Sequence, residues 1–149
     1  MSIDIERILL ELEQLPEFNE QISLQGVKDN TDYINGTGKL DELNHDESVF
    51  NVPLFPKMTY TYSIINNLNL FRTRVMKMAP RSCYSYHKDP TKRIHIPLIT
   101  NDKCFMVIED KCYWYPADGN YYLADTTKNH TFVNGSWEER IHIVGCIKE

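Results

Sequence analysis

The 149-residue chain lacks any C-x-x-C pair, although it carries four cysteines at Cys83, Cys104, Cys112 and Cys146. Neither a zinc knuckle nor a dithiol redox motif is therefore written into it, and buried free thiols are the expectation. No Lys/Arg cluster is present, and the formal net charge is -5. Nucleic-acid affinity rests largely on cations that neutralise phosphates, so DNA and RNA are excluded as expected partners. No stretch approaches the ~20 apolar residues of a membrane span. The acidic start, Met1 to Glu6, lacks the basic and apolar regions of a secretion signal. A cytoplasmic location is the resulting expectation. Whole-unit repeats and low-complexity tracts are also missing.

What remains is the composition of a globular protein, 42% hydrophobic and 25% charged. The length suits one domain over residues 1–149, with an N-terminal helical and loop layer (1–69) and a β core (70–149). Ile5, Ile8, Leu9, Leu12 and Leu15 recur at helical spacing, predicting a helix over Asp4 to Leu15 that Pro16 stops. Glu17 to Ser48 reads as loops with short strand-like pieces at Gln21 to Leu24 and Asp32 to Ile34. The spacing of Tyr60, Ile64, Ile65 and Leu68 predicts a second helix over Thr59 to Leu68.

From Leu70 the period changes to two, and eight short β-rich runs follow: Phe71–Met78, Ser82–His87, Arg93–Leu98, Cys104–Ile108, Lys111–Tyr115, Tyr121–Ala124, Thr131–Asn134 and Arg140–Ile147. Glu109-Asp110, Asp118-Gly119 and Asn134-Gly135 suit tight antiparallel reversals. The fold class expected is mainly β: a double-stranded β-helix, or jelly-roll of cupin-like form, with the N-terminal helices packed on one sheet.

Within that pattern, His87-Lys88-Asp89 places an imidazole and a carboxylate two residues apart, on one side of an extended chain. His130 offers a third ligand before a further strand. Two histidines and one carboxylate leave three positions open on an octahedral iron, two for a chelating cosubstrate and one for oxygen. An H-x-D pair alone also arises by chance, as a surface loop or a hydrogen-bonded pair. The wider constellation adds weight. In Arg93-Ile94-His95-Ile96 and again in Arg140-Ile141-His142-Ile143, alternation puts cations on one strand face and isoleucines on the other. A cationic inner face demands an anion, and the planar fork of Arg140 is suited to a carboxylate. The plain alternative for Arg140 is a surface ion pair with Glu138 or Glu139.

These residues resemble the aspartyl/asparaginyl β-hydroxylase-like branch of the iron(II) and 2-oxoglutarate-dependent oxygenases. The resemblance spans Phe71 to Val144 and rests on His87-x-Asp89, on Arg93-x-His95-Ile96-Pro97-Leu98 followed by Thr100-Asn101, and on His130-Thr131-Phe132-Val133-Asn134 leading to Arg140-Ile141-His142. It implies an enzyme that hydroxylates an unactivated C–H bond with Fe(II), 2-oxoglutarate and O2, releasing succinate and CO2. His87, Asp89 and His130 would hold the metal, Arg140 would grip the far carboxylate of 2-oxoglutarate, and Arg93 and His95 would help to hold it. Peptidyl, free amino-acid and acyl substrates are all handled by relatives. Some relatives lack the carboxylate ligand that Asp89 supplies here, and Gly145 stands where many carry an acidic residue. Met1 to Asn69 matches no pattern.

Three further expectations concern the surroundings. Asp125 is a candidate partner for His130. The tyrosines, with Trp114 and Trp137, are numerous enough to line a pocket, although strand packing is their ordinary use. The acidic run Asp41 to Glu47, which holds His45, reads as a loop over the site or a plain solvated loop. Two rival readings stay open: a cupin-like metal protein that does not use 2-oxoglutarate, and a non-catalytic ligand-binding jelly-roll. The sequence is silent on oligomeric state.

Overall fold

The protein is described by a computed structural model over residues 2–30, 32–34 and 46–148. Helix α1 (Ile5–Leu12) starts where the Asp4 carboxylate accepts the Arg7 N–H at 3.1 Å. It ends three residues before the predicted Leu15. Glu13, Gln14 and Leu15 each donate to the carbonyl three residues back, the tightening that precedes Pro16. Helix α2 (Thr59–Asn67) has no side-chain cap of its own at Met58. Glu11 of α1 caps it instead, accepting from the Tyr60 and Thr61 N–H groups at 3.0 and 2.7 Å.

Eleven strands are described: β1 (Gln21–Ser23), β2 (Gln25–Gly26), β3 (Val52–Pro53), β4 (Phe71–Met78), β5 (Ser82–Cys83), β6 (Lys92–Ile99), β7 (Cys104–Ile108), β8 (Lys111–Tyr113), β9 (Tyr122–Ala124), β10 (His130–Asn134) and β11 (Arg140–Ile147). One antiparallel sheet runs β1-β4-β11-β6-β9, a second runs β5-β10-β7-β8, and β2 pairs with β3. From β4 onward the chain passes repeatedly between the two larger sheets, the topology of the expected cupin-like jelly-roll. All eight predicted C-terminal runs contain a strand. Asp32 to Ile34, however, is a turn in which Asn30 and Asp32 side chains accept the Asp32 and Ile34 N–H groups, an alternative to strand pairing.

Of the three predicted reversals, Glu109-Asp110 is a hairpin, with Ile108 opposite Lys111. Asp118-Gly119 and Asn134-Gly135 instead lie on connections that leave one sheet for the other, from β8 to β9 and from β10 to β11. Turn residues signal that the chain bends, and the sheet joined next is decided by long-range pairing. Cys104 and Cys146 are buried free thiols as expected, whereas Cys83 and Cys112 are exposed at the rim of the smaller sheet. Among the described residues, no helix is long and apolar enough to cross a membrane.

The five-stranded sheet is apolar on one face and polar on the other. Ile94, Ile96 and Leu98 of β6, Val75 of β4 and Ile143 of β11 pack with Ile8 of α1 and with Ile64 and Ile65 of α2 in one core. Each such side chain contributes roughly 1.5–3 kcal/mol on burial, which fixes the register: a one-residue slip would expose the whole set. That constraint turns the alternate residues, among them Arg93, His95, Arg140 and His142, inward. A second core of Met78, Met106, Ile108, Tyr115 and Phe132 fills the space beside them.

Candidate active site

A bridge between His87 and His130, N–H to carbonyl in both directions at 3.0 and 2.9 Å, sets the two imidazoles side by side, ring centroids 4.4 Å apart. Asp89 completes the group. Its two oxygens lie 3.3 Å from the Nε2 atoms of His87 and His130, and one ligand atom from each residue falls within 4.8 Å of the others. His87 Nδ1 donates to the Ser85 carbonyl at 2.7 Å and His130 Nδ1 to the Lys128 carbonyl at 2.9 Å. A carbonyl only accepts, so both hydrogens sit on Nδ1 and both Nε2 atoms turn their lone pairs to Asp89 when the rings are neutral. Asp125 is not the partner of His130; its carboxylate turns to Thr127.

Burial disfavours a charge on Asp89, but the hydrogen bond it accepts from His130 Nε2 when that ring is protonated, with the nearby Arg93 and imidazoles, outweighs it and brings its pKa down to about 2. Burial likewise opposes protonation of His130, yet Asp89 raises its pKa. A carboxylate ionised throughout the physiological range beside two lone pairs is a donor set for a divalent cation.

Arg140 is 1% exposed and is no surface ion pair with Glu138 or Glu139. Its guanidinium lies 4.4 Å from the Phe132 ring centroid, and its Nε and Nη2 are buried without an acceptor among the described residues. Its Nη1 stands 3.4 Å from His142 Nδ1, which in turn lies 3.0 Å from His95 Nδ1. Arginine only donates, so His142 Nδ1 accepts, His95 Nδ1 carries a hydrogen, and His142 carries its own on Nε2. That Nε2–H is also buried and unpartnered. Burial, then the neighbouring Arg140, keeps both rings neutral, with the His95 pKa at about 3. Arg140 and His142 thus present three buried donors with no hydrogen-bond acceptor among the described residues, beside the Tyr84 side chain, an arrangement suited to an anionic oxygen ligand.

Arg93 is placed differently. Its Nη1 and Nη2 donate to Glu47 at 3.1 and 3.3 Å, it bonds to Thr91, and its Nε lies 3.5 Å from Asp89. Glu47 is 2% exposed and also holds Arg72 at 3.1 Å and the Thr91 hydroxyl at 2.7 Å. The acidic run is therefore no plain solvated loop at its end, while Asp41 to His45 lie outside the described residues. Arg72 takes a left-handed backbone (φ 51°), a conformation the ion pair offsets.

Glu47, Arg72 and Arg74 are the residues that sequence reasoning missed, while His142 was read on the cationic face without a role. For the arginines a signal existed: Arg72-x-Arg74 alternates within a strand as Arg93-x-His95 does. A cavity of about 360 Å³ is bordered by His87, Asp89, His130, Arg93, His95, Arg72 and Arg74, whereas Glu47, Arg140 and His142 lie behind its lining. Of the aromatics, Tyr84 lines it, Tyr115 and Tyr122 stack on each other at 5.0 Å, and Trp114 and Trp137 are exposed.

Similarity to known proteins follows the same lines. An oxidoreductase of the 2OG-Fe(II) oxygenase family from Burkholderia pseudomallei has a TM-score of 0.56 at 17% identity, over 95% of this chain and 76% of that one. A cupin domain from Bordetella pertussis has a TM-score of 0.45 at 15% identity, over 52% of this chain and 81% of that one. No curated protein sequence matches. The sequence profile described as aspartyl/asparaginyl β-hydroxylase matches residues 4–148. Since that match takes in both the helical layer and the inward-facing histidines and arginines, the chain belongs to the aspartyl/asparaginyl β-hydroxylase family.

Proposed function

We propose that the protein is an Fe(II)- and 2-oxoglutarate-dependent dioxygenase that hydroxylates an unactivated C–H bond, and that residues 1–69 and 70–149 work as one unit. The carrying observation is the pairing of an open three-ligand set, His87, Asp89 and His130, with a buried Arg140 whose Nε and Nη2 have no acceptor. Family membership supports hydroxylase chemistry in general, and the residues fit the two groups that this reaction uses.

Bound iron(II) and 2-oxoglutarate supply the oxidising chemistry, with O2 consumed and succinate and CO2 released. The chain supplies placement. His87, Asp89 and His130 would hold the metal. The carbonyls of Ser85 and Lys128 fix both rings in the tautomer that ligation needs. Arg140 neutralises the far carboxylate of the cosubstrate, His142 donates to it from Nε2, and Phe132 covers the guanidinium. His95 holds His142 in its donating tautomer and stays neutral. Arg93 steadies Asp89 through Nε and is itself held by Glu47. Because Arg140 and His142 are almost fully buried, each hydrogen bond forms away from water, where it is stronger.

Anaerobic titration of the iron(II)-loaded chain with 2-oxoglutarate tests this reading through the weak visible charge-transfer band of a chelated keto acid. Arg140→Ala should raise the cosubstrate concentration needed by about 10–100-fold, the loss of a charge-assisted pair. An iron-loaded protein that gives no band would favour a cupin-like metal protein that does not use 2-oxoglutarate.

A further inference from the structure

The outward face of the smaller sheet carries no charged side chain. In β7 and β10 every second residue is buried, Met106 of β7 and Phe132 of β10 among them. Strand alternation therefore sends Phe105, Val107, Thr131 and Val133 outward, where they are half-buried. Val133 lies opposite both Cys83 and Phe105, and the Phe105 ring stands 5.6 Å from that of Trp114, so one row crosses all four strands. A second row runs Thr131, Val107, Cys112. The Thr131 hydroxyl is spent on the Tyr84 carbonyl at 2.7 Å. A sheet with one face in water ordinarily turns polar residues to it, and 25% of this chain is charged. Phe105, Val107, Val133 and Trp114 belong to neither hydrophobic core, and Trp114 is 55% exposed. An apolar patch of this kind marks an interaction surface.

The pattern within the patch says what covers it. Across the sheet the first row reads Cys83, Val133, Phe105, Trp114: two small side chains, then two large rings. A two-fold axis along the strands, between β10 and β7, lays this row on its own reverse. Phe105 then meets the partner's Val133 and Trp114 meets the partner's Cys83, large against small. Charge at one end of the sheet selects the same axis. Beside β5 and β10 stand Lys88 and Lys128, whereas Glu109 and Asp110 join β7 to β8, and all four are exposed. Lys111 alternates to the other face, opposite Ile108. One half of this rim is basic and the other acidic, and the axis brings Lys128 over the partner's Glu109 and Lys88 over the partner's Asp110. An axis across the strands would carry the rim to the far end of the sheet and forgo that match.

We infer that the outward face of the smaller sheet is the interface of a two-fold homodimer, with β10 of each copy over β7 of the other. The contact is isologous, and the two sheets pack face to face in the aligned manner. Four strands and their rim bury on the order of 1,000 Å² in total, the low end for a specific interface, so the dimer forms in the micromolar range. The face lies on the other side of β10 from His130 and Phe132. Pairing therefore leaves the cavity unfilled, and the inference is independent of the chemistry proposed there.

The test is sedimentation velocity on the full chain over a range of concentrations, at low ionic strength and with reductant because Cys83 and Cys112 are exposed. The wild-type chain should pass from one chain mass to two as concentration rises. Val133→Lys, which sets a charge in the apolar row on each side of the axis, should weaken association by at least about 100-fold. Lys128→Glu and Glu109→Lys each turn two equivalent rim contacts repulsive, and each should weaken it by at least about tenfold.

Mixing those two rim variants is the decisive arm. One copy then carries two acids at positions 109 and 128 and the other two lysines, so heterodimers should form with the wild-type affinity to within about threefold. Lys128 also lies 4.0 Å from Glu109 of its own chain, but mixing cannot restore a contact within one chain. A wild-type chain that stays monomeric to about 200 µM would overturn the inference. So would a dimer unmoved by Val133→Lys, or a mixture that associates no better than its separate components. If Val133→Lys does not fold, the wild-type series and the exposed rim variants decide.

Discussion

Glu47 offers the sharpest check on the electrostatics of this cavity. Its carboxylate accepts from Arg72 at 3.1 Å, from Arg93 at 3.1 and 3.3 Å and from Thr91 at 2.7 Å, all away from solvent. Glu47→Ala removes the anion and strands two buried guanidinium groups. Breaking a buried pair on one side costs about 3–5 kcal/mol, because the remaining charge keeps its desolvation penalty. With a urea dependence of about 2 kcal/mol per molar, the unfolding midpoint should fall by about 2 M. Glu47→Gln keeps the shape and one acceptor and should lose about half as much. The assay is urea unfolding followed by far-ultraviolet circular dichroism, in chelator so that no metal contributes. A midpoint change worth less than about 1 kcal/mol, the level of an ordinary surface substitution, would refute the assignment of Glu47 as the neutralising group.

The same residue makes a prediction about pH. Burial opposes its charge, but Arg93, Thr91 and Arg72 outweigh burial and hold the Glu47 pKa below its ordinary 4.5. A group whose pKa is lower in the folded than in the unfolded chain binds fewer protons when folded. Its contribution is therefore complete above about pH 4.5 and is lost as the pH falls through the folded value. Glu47→Gln has no such proton to take up. The stability gap between wild type and Glu47→Gln should be constant near neutral pH and narrow on acidification below about 4.5.

Two further substitutions probe the scaffold. A Cβ at Gly145 would lie 2.7 Å from Leu70 Cδ1 and 2.9 Å from both Leu70 Cβ and Thr73 Oγ1, so Gly145→Ala should lose about 1–3 kcal/mol in the same urea experiment. Glu11→Ala leaves the first N–H groups of α2 without their acceptor and should lose about 0.5–2 kcal/mol, read as a lower melting temperature.

Those contacts also show which parts of the molecule can be read from sequence. The inward face of β6 and β11 was legible because Ile94, Ile96, Ile141 and Ile143 have only one place to go, against the helices. Once they are placed, strand alternation sends Arg93, His95, Arg140 and His142 the other way. His87, Asp89 and His130 were legible as residue types with ligand chemistry, although their meeting depends on a bridge between segments 43 residues apart in sequence (87 to 130). Gly145 shows why a departure from the family pattern carries information: the space that an acidic side chain needs there is filled by Leu70 and Thr73.

Glu47 was not legible, and the reason is physical. An acid within Asp41 to Glu47 has the local surroundings of a solvated loop, and nothing nearby in sequence distinguishes it from Glu42 or Asp46. What makes it different is a pair of arginines 25 and 46 residues downstream. The arginines were the readable half of that relation. Three of them, Arg72, Arg74 and Arg93, alternate on inward strand faces, and a folded chain does not bury three such charges without anions to meet them. One anion is supplied by the chain itself at Glu47. Counting cations on inward faces therefore predicts that acids must arrive from distant loops or from ligands. Among the described residues, the inward cations that no carboxylate meets are Arg140 and Arg74.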